Sequence, residues 1–326
     1  LGRVKSDWDD TPAKVIFRTT YSDVGRKVDS SLHQFHKRST VYPIWGRNLG
    51  NDNSAGYNMF FTPNTRIGLQ SGFTAFDIYQ FPIDSLRFYK TDKPYSEFDF
   101  MMGPKRQQDV GIMHTQSPND QFTIVGTLKG GLSQGFYSRQ TTRHMRIGLN
   151  AGYQSKDSRY ALKAGFLYQR HFQDEHAGIM GDQYLGNPNF SNFLVIPVAA
   201  NSNNFSNNRS AISNSVSNAT VFLHHQYAAW GERDTLYNED STAITPIYTP
   251  RFTLMHKLEA NLQQHLYKDV NPKDSLYTNV YGFTPIFLPK DSVYAKQKWN
   301  YLDNKFAIGT SVGKFEQNVN VEAGVG

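Results

Sequence analysis

The chain is 326 residues long, carries 34 Lys+Arg against 28 Asp+Glu for a formal charge of +6, and contains no cysteine. That excludes disulfides, thiolate metal sites and cysteine nucleophiles. The basic residues are scattered singly, so the charge reads as a solvated surface facing anionic lipid and lipopolysaccharide, with no nucleic-acid partner. Aromatic residues make up 14% of the chain, yet mean hydropathy is -0.57. A packed globular core does not combine these two properties. A transmembrane barrel does, because half of each strand faces water while Phe, Tyr and Trp form girdles at the membrane interfaces.

Residues 1–96 read as an irregular N-terminal segment with short strands. Asp7 to Pro12 is acidic and turn-like, Val15 to Tyr21 fits one short strand, and Tyr42 to Pro63 is rich in Gly, Asn, Pro and aromatics. So aromatic a segment is expected to pack, either as a plug in a lumen or as a cap on a periplasmic mouth.

Residues 97–326 change to a beat of two. In Met145, Ile147, Leu149, Ala151 and Tyr153 the oily parity is set against Arg146, Gly148, Asn150, Gly152 and Gln154, so one face of the strand is apolar and the other polar. The same beat predicts nine strands: Glu97–Gly103, Gln107–Gln116, Gln121–Ser133, Thr141–Gln154, Arg159–His171, Ile212–Tyr227, Arg251–Tyr267, Asn300–Lys314 and Gln317–Gly326. Most reach the roughly 9 to 11 residues that a tilted strand needs to cross a bilayer, whereas soluble strands average about 5 or 6. No apolar run approaches the roughly 20 residues of a spanning helix. The expected fold is therefore all-β, an antiparallel transmembrane β-barrel of outer-membrane type.

Bacterial single-chain barrels use an even number of strands. Nine is odd and the alternation runs up to Gly326, so C-terminal strands are expected to be absent from this chain. The leading Leu1 to Lys5 shows no apolar run of a secretory leader, and the chain reads as a processed or partial product. Short turns at Ser117–Asp120, Ser155–Ser158 and Lys314–Glu316 mark one end as periplasmic, and the long connections Phe172–Ala211 and Pro272–Trp299 lie at the other. Ala228–Pro250, read as a loop, conflicts with this by placing a long connection among the short turns, and the first turn is short as well.

No enzyme signature is found. Gly130-Gly131 lies inside a strand rather than between a strand and a helix, so it is no nucleotide loop. His224 and His225 are adjacent on a strand and point to opposite faces. His171 and His176 flank Asp174 and Glu175 without a defined ligand set, and no Ser/His/acid site can be placed. The expected sites hold no catalytic, cofactor or metal residues. Charges on the polar parity of their strands, Arg146, Lys163, Lys257 and Glu259, are the expected lumen lining. A recurrent tripeptide reads Asp, then Ser or Thr, then an aliphatic residue or Thr, with Ser85, Thr235, Ser275, Ser292 and Ser241 as its central hydroxyl residues. Such pairs begin turns, and all five fall between the expected strands. They also resemble the O-glycosylation sequon of the Bacteroidota periplasm.

Several ordered motifs together resemble one family. They are Asn48-Leu49-Gly50-Asn51, Met59-Phe60-Phe61-Thr62-Pro63, Gly72 to Asp77, Pro94-Tyr95-Ser96-Glu97, His114-Thr115-Gln116, Gly135 to Gln140 and Pro250 to His256. The chain is similar, over nearly its whole length, to the "Putative porin" family of Bacteroidota outer membranes. The resemblance implies passive diffusion of small hydrophilic solutes through a large barrel in the cell outer membrane, with no reaction catalysed. The basic excess along Arg146, Lys163 and Lys257 predicts a mild anion preference. The alternative is a non-conducting barrel that serves other outer-membrane proteins as a subunit of a secretion or assembly complex, with aromatics at Phe190, Phe193, Tyr281, Phe283 and Phe287 as contact surface.

Overall fold

A computed structural model describes residues 14–20, 22–28, 45–61, 63, 71–203, 206–237, 243–282, 292–311 and 318–325. Its main body is one nine-stranded antiparallel sheet. Five strands come first, β6 (Tyr95–Gly103), β7 (Gln107–Asn119), β8 (Phe122–Ser133), β9 (Thr142–Gln154) and β10 (Tyr160–Asp174). Four follow, β13 (Ile212–Tyr237), β14 (Ala243–Asp269), β15 (Val293–Ser311) and β16 (Asn318–Val325). Each pairs with the next in this order, and β6 and β16 are the two edges, so the sheet does not close on itself. The expected all-β fold and all nine strands are present.

The alternation sorts the sheet into two faces. On one, Phe98 lies opposite Ile112, Ile112 opposite Leu128 and Leu128 opposite Ile147. Farther along the sheet, Leu149 meets Phe166 and Phe166 meets Val221. These side chains are exposed, forming an apolar band far larger than a soluble monomer presents to water. This bare face has the composition of a lipid contact. Aromatics gather toward its short-turn end, where Phe122 pairs with Tyr153, Tyr160 with Tyr227 and Trp230 with Phe252.

The opposite face is covered by the N-terminal segment. Strands β1 (Val15–Thr19), β2 (Ser22–Lys27) and β5 (Arg87–Thr91) make a small sheet in the order β2-β1-β5, and β3 (Gly46–Asn48) pairs with β4 (Gly56–Asn58). Short 3-10 turns at Asp77–Tyr79 and Ile83–Ser85 link them to the wall. The buried core lies between segment and sheet. Ile83, Leu86 and Phe88 pack on Leu167 and Phe222; Phe76 and Tyr79 pack on Val216; Tyr89 packs on Met113 and Val125. Gly152 makes room for this packing: a Cβ there would stand 3.3 Å from Cδ1 of Phe88.

A fourth cluster ties the long connections together. Between β10 and β13, β11 (Ser202–Asn203) pairs with β12 (Ser206–Ser210), and between β14 and β15 lies the helix α1 (Asp274–Asn279). Leu276 and Tyr277 of that helix bury against Ala200 and Ile212.

Three expectations are corrected. Ala228–Pro250 is not a loop: β13 and β14 continue as a paired ladder out to Tyr237 and Ala243, with register shifts between Ala228 and Gly231. Beyond its neighbours this pair stands alone, so prolines are tolerated on ladder positions that face no further strand. Thr235 accordingly lies in a strand, not between strands. The strand expected from Asn300 begins at Val293. Asp7–Pro12, the turn Lys314–Glu316, and the residues Ser241, Phe283 and Phe287 lie outside the described residues.

Candidate functional site

The covered face is the place where polar side chains converge, and β7 to β10 with β13 and β14 supply them by strict alternation. One row across the wall runs Lys129, Arg146, Gln169, Asn218, Gln263. The next runs Asp109, Gly131, His144, His171, Val216, His265. On this face wall side chains bond to the backbone of the N-terminal segment. Gln169 makes a two-way clasp on Phe81, its Nε2 donating to the carbonyl at 3.0 Å and its Oε1 accepting from the N–H at 2.8 Å. Oε1 of Gln173 accepts from the Ala55 N–H at 2.6 Å. Asn150 Nδ2 donates to the Arg87 carbonyl at 2.8 Å, and the Thr123 hydroxyl donates to the Tyr89 carbonyl.

At the long-loop end the exchange runs both ways. Asn51 donates to the Gln140 carbonyl at 2.7 Å and accepts from the Ser133 hydroxyl at 2.6 Å, while Thr142 donates to the Asp52 carbonyl at 2.5 Å. Gln107 donates to the Asp52 carboxylate at 2.7 Å. Burial raises the carboxyls of Asp52 and Asp77 above their ordinary value; for Asp52 the hydrogen bonds from the Asn53 backbone and from Gln107 offset part of it. Aromatic contacts complete the seat. Phe73 stacks on His265 with centroids 3.6 Å apart, and Phe76 and Tyr79 stack on His171 at 6.1 and 5.6 Å.

The four charges singled out from the sequence all lie on this face, but in two settings. Arg146 sits over the Phe81 ring at 4.1 Å, and Lys163 donates to the carbonyls of Thr19 and Thr20 at 2.9 and 3.1 Å. Both engage the N-terminal segment. Lys257 lies opposite His224 and Lys305, and Glu259 accepts from the Tyr301 hydroxyl at 2.5 Å and lies opposite Asp303. His224 bonds the Thr20 carbonyl at 3.1 Å, whereas His225 turns to the bare face and meets His256 at 2.8 Å. His171 and Asp174 point to opposite faces. Asp174 pairs with Arg209 at 2.7 Å, and His176 accepts from the Gly178 N–H at 3.0 Å. Among the described residues no group of three His, Asp or Glu is placed to hold a metal ion.

Of the tripeptide hydroxyl residues, Ser85 and Ser275 are exposed and Ser292 is half-buried just before β15. The residues that charge-based reading missed are the amides Asn150, Gln169 and Gln173. Their signal was in the sequence: from Gln169 to Gln173 the polar parity reads Gln, His, Gln, side chains that both donate and accept, suited to a peptide backbone more than to bulk water.

A nine-stranded antiparallel wall with one apolar face and one polar face, and no helix long and apolar enough to cross a membrane among the described residues, is the architecture of a porin-like barrel wall. The chain belongs to the family described as "Putative porin", whose model matches residues 14–324. No curated protein and no solved structure matches it.

Proposed function

We propose that the protein is an outer-membrane channel for passive diffusion of small hydrophilic solutes, with its N-terminal segment laid along the lumen wall as a constriction. The observation that carries this reading is the sorting of the two faces. The bare face offers lipid an apolar band, and the covered face holds the polar side chains that a solute path requires. Arg146, Lys163, Lys257 and Glu259 are the proposed lumen charges, with Arg146 and Lys163 acting through the segment they hold. No catalysis and no cofactor enter the proposal.

Planar-bilayer recording of the full chain tests it. Steady ohmic conductance with a mild anion preference is expected, and deletion of residues 14–91 is expected to raise the conductance. Clear cation preference removes the charge assignment. A second reading, a non-conducting subunit of a larger outer-membrane complex, is favoured by the many bonds that fix the segment across the wall. Electrical silence together with stable co-purification of other outer-membrane proteins selects it over the channel. The exposed hydroxyls of Ser85 and Ser275 are the proposed glycosylation sites, and intact-peptide mass spectrometry finding both unmodified removes that assignment.

A further inference from the structure

The bare face is apolar over most of its height, but its end nearest the long connections is not. Arg143 of β9 and Arg170 of β10 share its parity, as do Lys268 of β14 and Lys296 and Lys298 of β15, and all five are exposed. Between the two groups β13 contributes Ser213, Ser215 and Ser217, paired with Asp174, Phe172 and Arg170 on one side and with Lys268, Leu266 and Gln264 on the other. The paired spans 95–174, 212–227, 252–269 and 293–310 place one acidic side chain on this face, Asp174, and Arg209 already holds it at 2.7 Å. Within the strands of these spans no Lys or Arg shares this parity toward the short-turn end; there Arg159, just before β10, bonds the Ala228 and Ala229 carbonyls and lies over the Tyr227 ring. The basic side chains of this parity in the described strands are therefore gathered at one rim.

We propose that this rim is a binding surface for the phosphate groups of lipopolysaccharide in the outer leaflet. The proposal rests on the outer-membrane reading above and adds a ligand class and an orientation to it. The side chains leave the wall beside the apolar band, at the depth where hydrocarbon gives way to headgroups. Asp174 is the one carboxylate of this face that acts on the group, and it is shared between Arg209 and Arg143, so among the described residues the positive charge of the rim exceeds the negative and attracts anions from the lipid. Guanidinium groups such as Arg143 and Arg170 match phosphate oxygens in a forked geometry. From β10 to β15 the surface spans three strand spacings, roughly 14 Å. That is wide enough for a sugar-phosphate headgroup to rest its phosphates on the basic groups and its hydroxyls on the serines. The rim thereby faces outward, and the short turns face the periplasm.

The test uses the full chain folded into nanodiscs of phosphatidylethanolamine. Lipopolysaccharide, the same material dephosphorylated, or phosphatidylglycerol is added, and affinity is read from the shift in the thermal midpoint. Heat-dependent migration on gels reports folding independently. Phosphorylated lipopolysaccharide is expected to bind at least tenfold tighter than either comparator. R143Q/R170Q/K268Q/K296Q/K298Q is expected to lose that preference while remaining folded, and R143K/R170K to retain much of it. Should the fivefold variant fail to fold, K296Q/K298Q serves in its place with a partial loss expected. Equal binding of the dephosphorylated or phosphatidylglycerol form overturns the proposal, as does unchanged binding by the folded variants. Failure of the native chain to fold into any bilayer overturns the outer-membrane reading and this proposal together; folding without phosphate dependence overturns this one alone.

Discussion

Lys163 occupies a position that in an open lumen would face water, and its ammonium is instead turned onto two backbone carbonyls, those of Thr19 and Thr20, beside a His224 that bonds the second of them. Charge-assisted hydrogen bonds of this kind contribute about 1.5–3 kcal/mol each when desolvated. Lys163→Met is therefore expected to speed limited proteolysis of the N-terminal segment by roughly a hundredfold or more, with the sheet left intact. Asp52 tests the same docking through pH. Its folded-state carboxyl is raised by burial, so the docked form holds a proton that the undocked form gives up. Docking strengthens as pH falls through the raised value and the gain is complete below the ordinary 3.8. At neutral pH the charge costs stability. Asp52→Asn is expected to copy the protonated state, giving slower nicking at pH 7 and a flatter pH profile by the same assay. At this scale the sequence showed which residues share the polar parity of each strand. It did not show what they touch, because the partner of Lys163 lies more than 140 positions away in the chain and is a backbone atom without a side-chain signature.

For single elements, alternation located six of the nine strands to within about three residues and missed one end of β13, β14 and β15 by seven to ten, and the main miss has a physical cause. Ala228–Pro250 contains Gly231, Pro246 and Pro250 and the charges Glu232, Arg233 and Asp234, a composition that elsewhere breaks strands. In the structure Pro246 pairs with Thr235 and Pro250 with Gly231, where each strand of the isolated hairpin is an edge and each unpaired side accepts a residue without an N–H. Shortening this hairpin by deleting residues 232–249 removes no ladder partner of β10 or β15, since those pairings end at Tyr227 and Phe252. The shortened chain is expected to keep heat-dependent migration on gels. Phe88 is the opposite case. It is buried between β5 and the wall and meets Phe222 edge-on at 6.3 Å, so Phe88→Ala is expected to cost about 3–5 kcal/mol of docking stability. Hydrogen exchange would show lost protection in 14–91 with the protection of β8–β10 retained.

Across the whole molecule, the pairing of high aromatic content with negative hydropathy was the readable sign of a wall with one oily and one wet face. The covering of the wet face was not readable, because it depends on how an irregular segment lies across β7 to β10 with β13 and β14. That segment passes directly into the wall: β5 ends at Thr91 and β6 starts at Tyr95, leaving three residues between them. The docked body is thus tethered at the point where the wall begins. When its bonds open it swings about Asp92–Pro94 and stays at a local concentration on the order of millimolar. Its return is a first-order process with a rate independent of protein concentration, and a peptide copy of the segment supplied from outside would have to reach comparable millimolar levels to take its place.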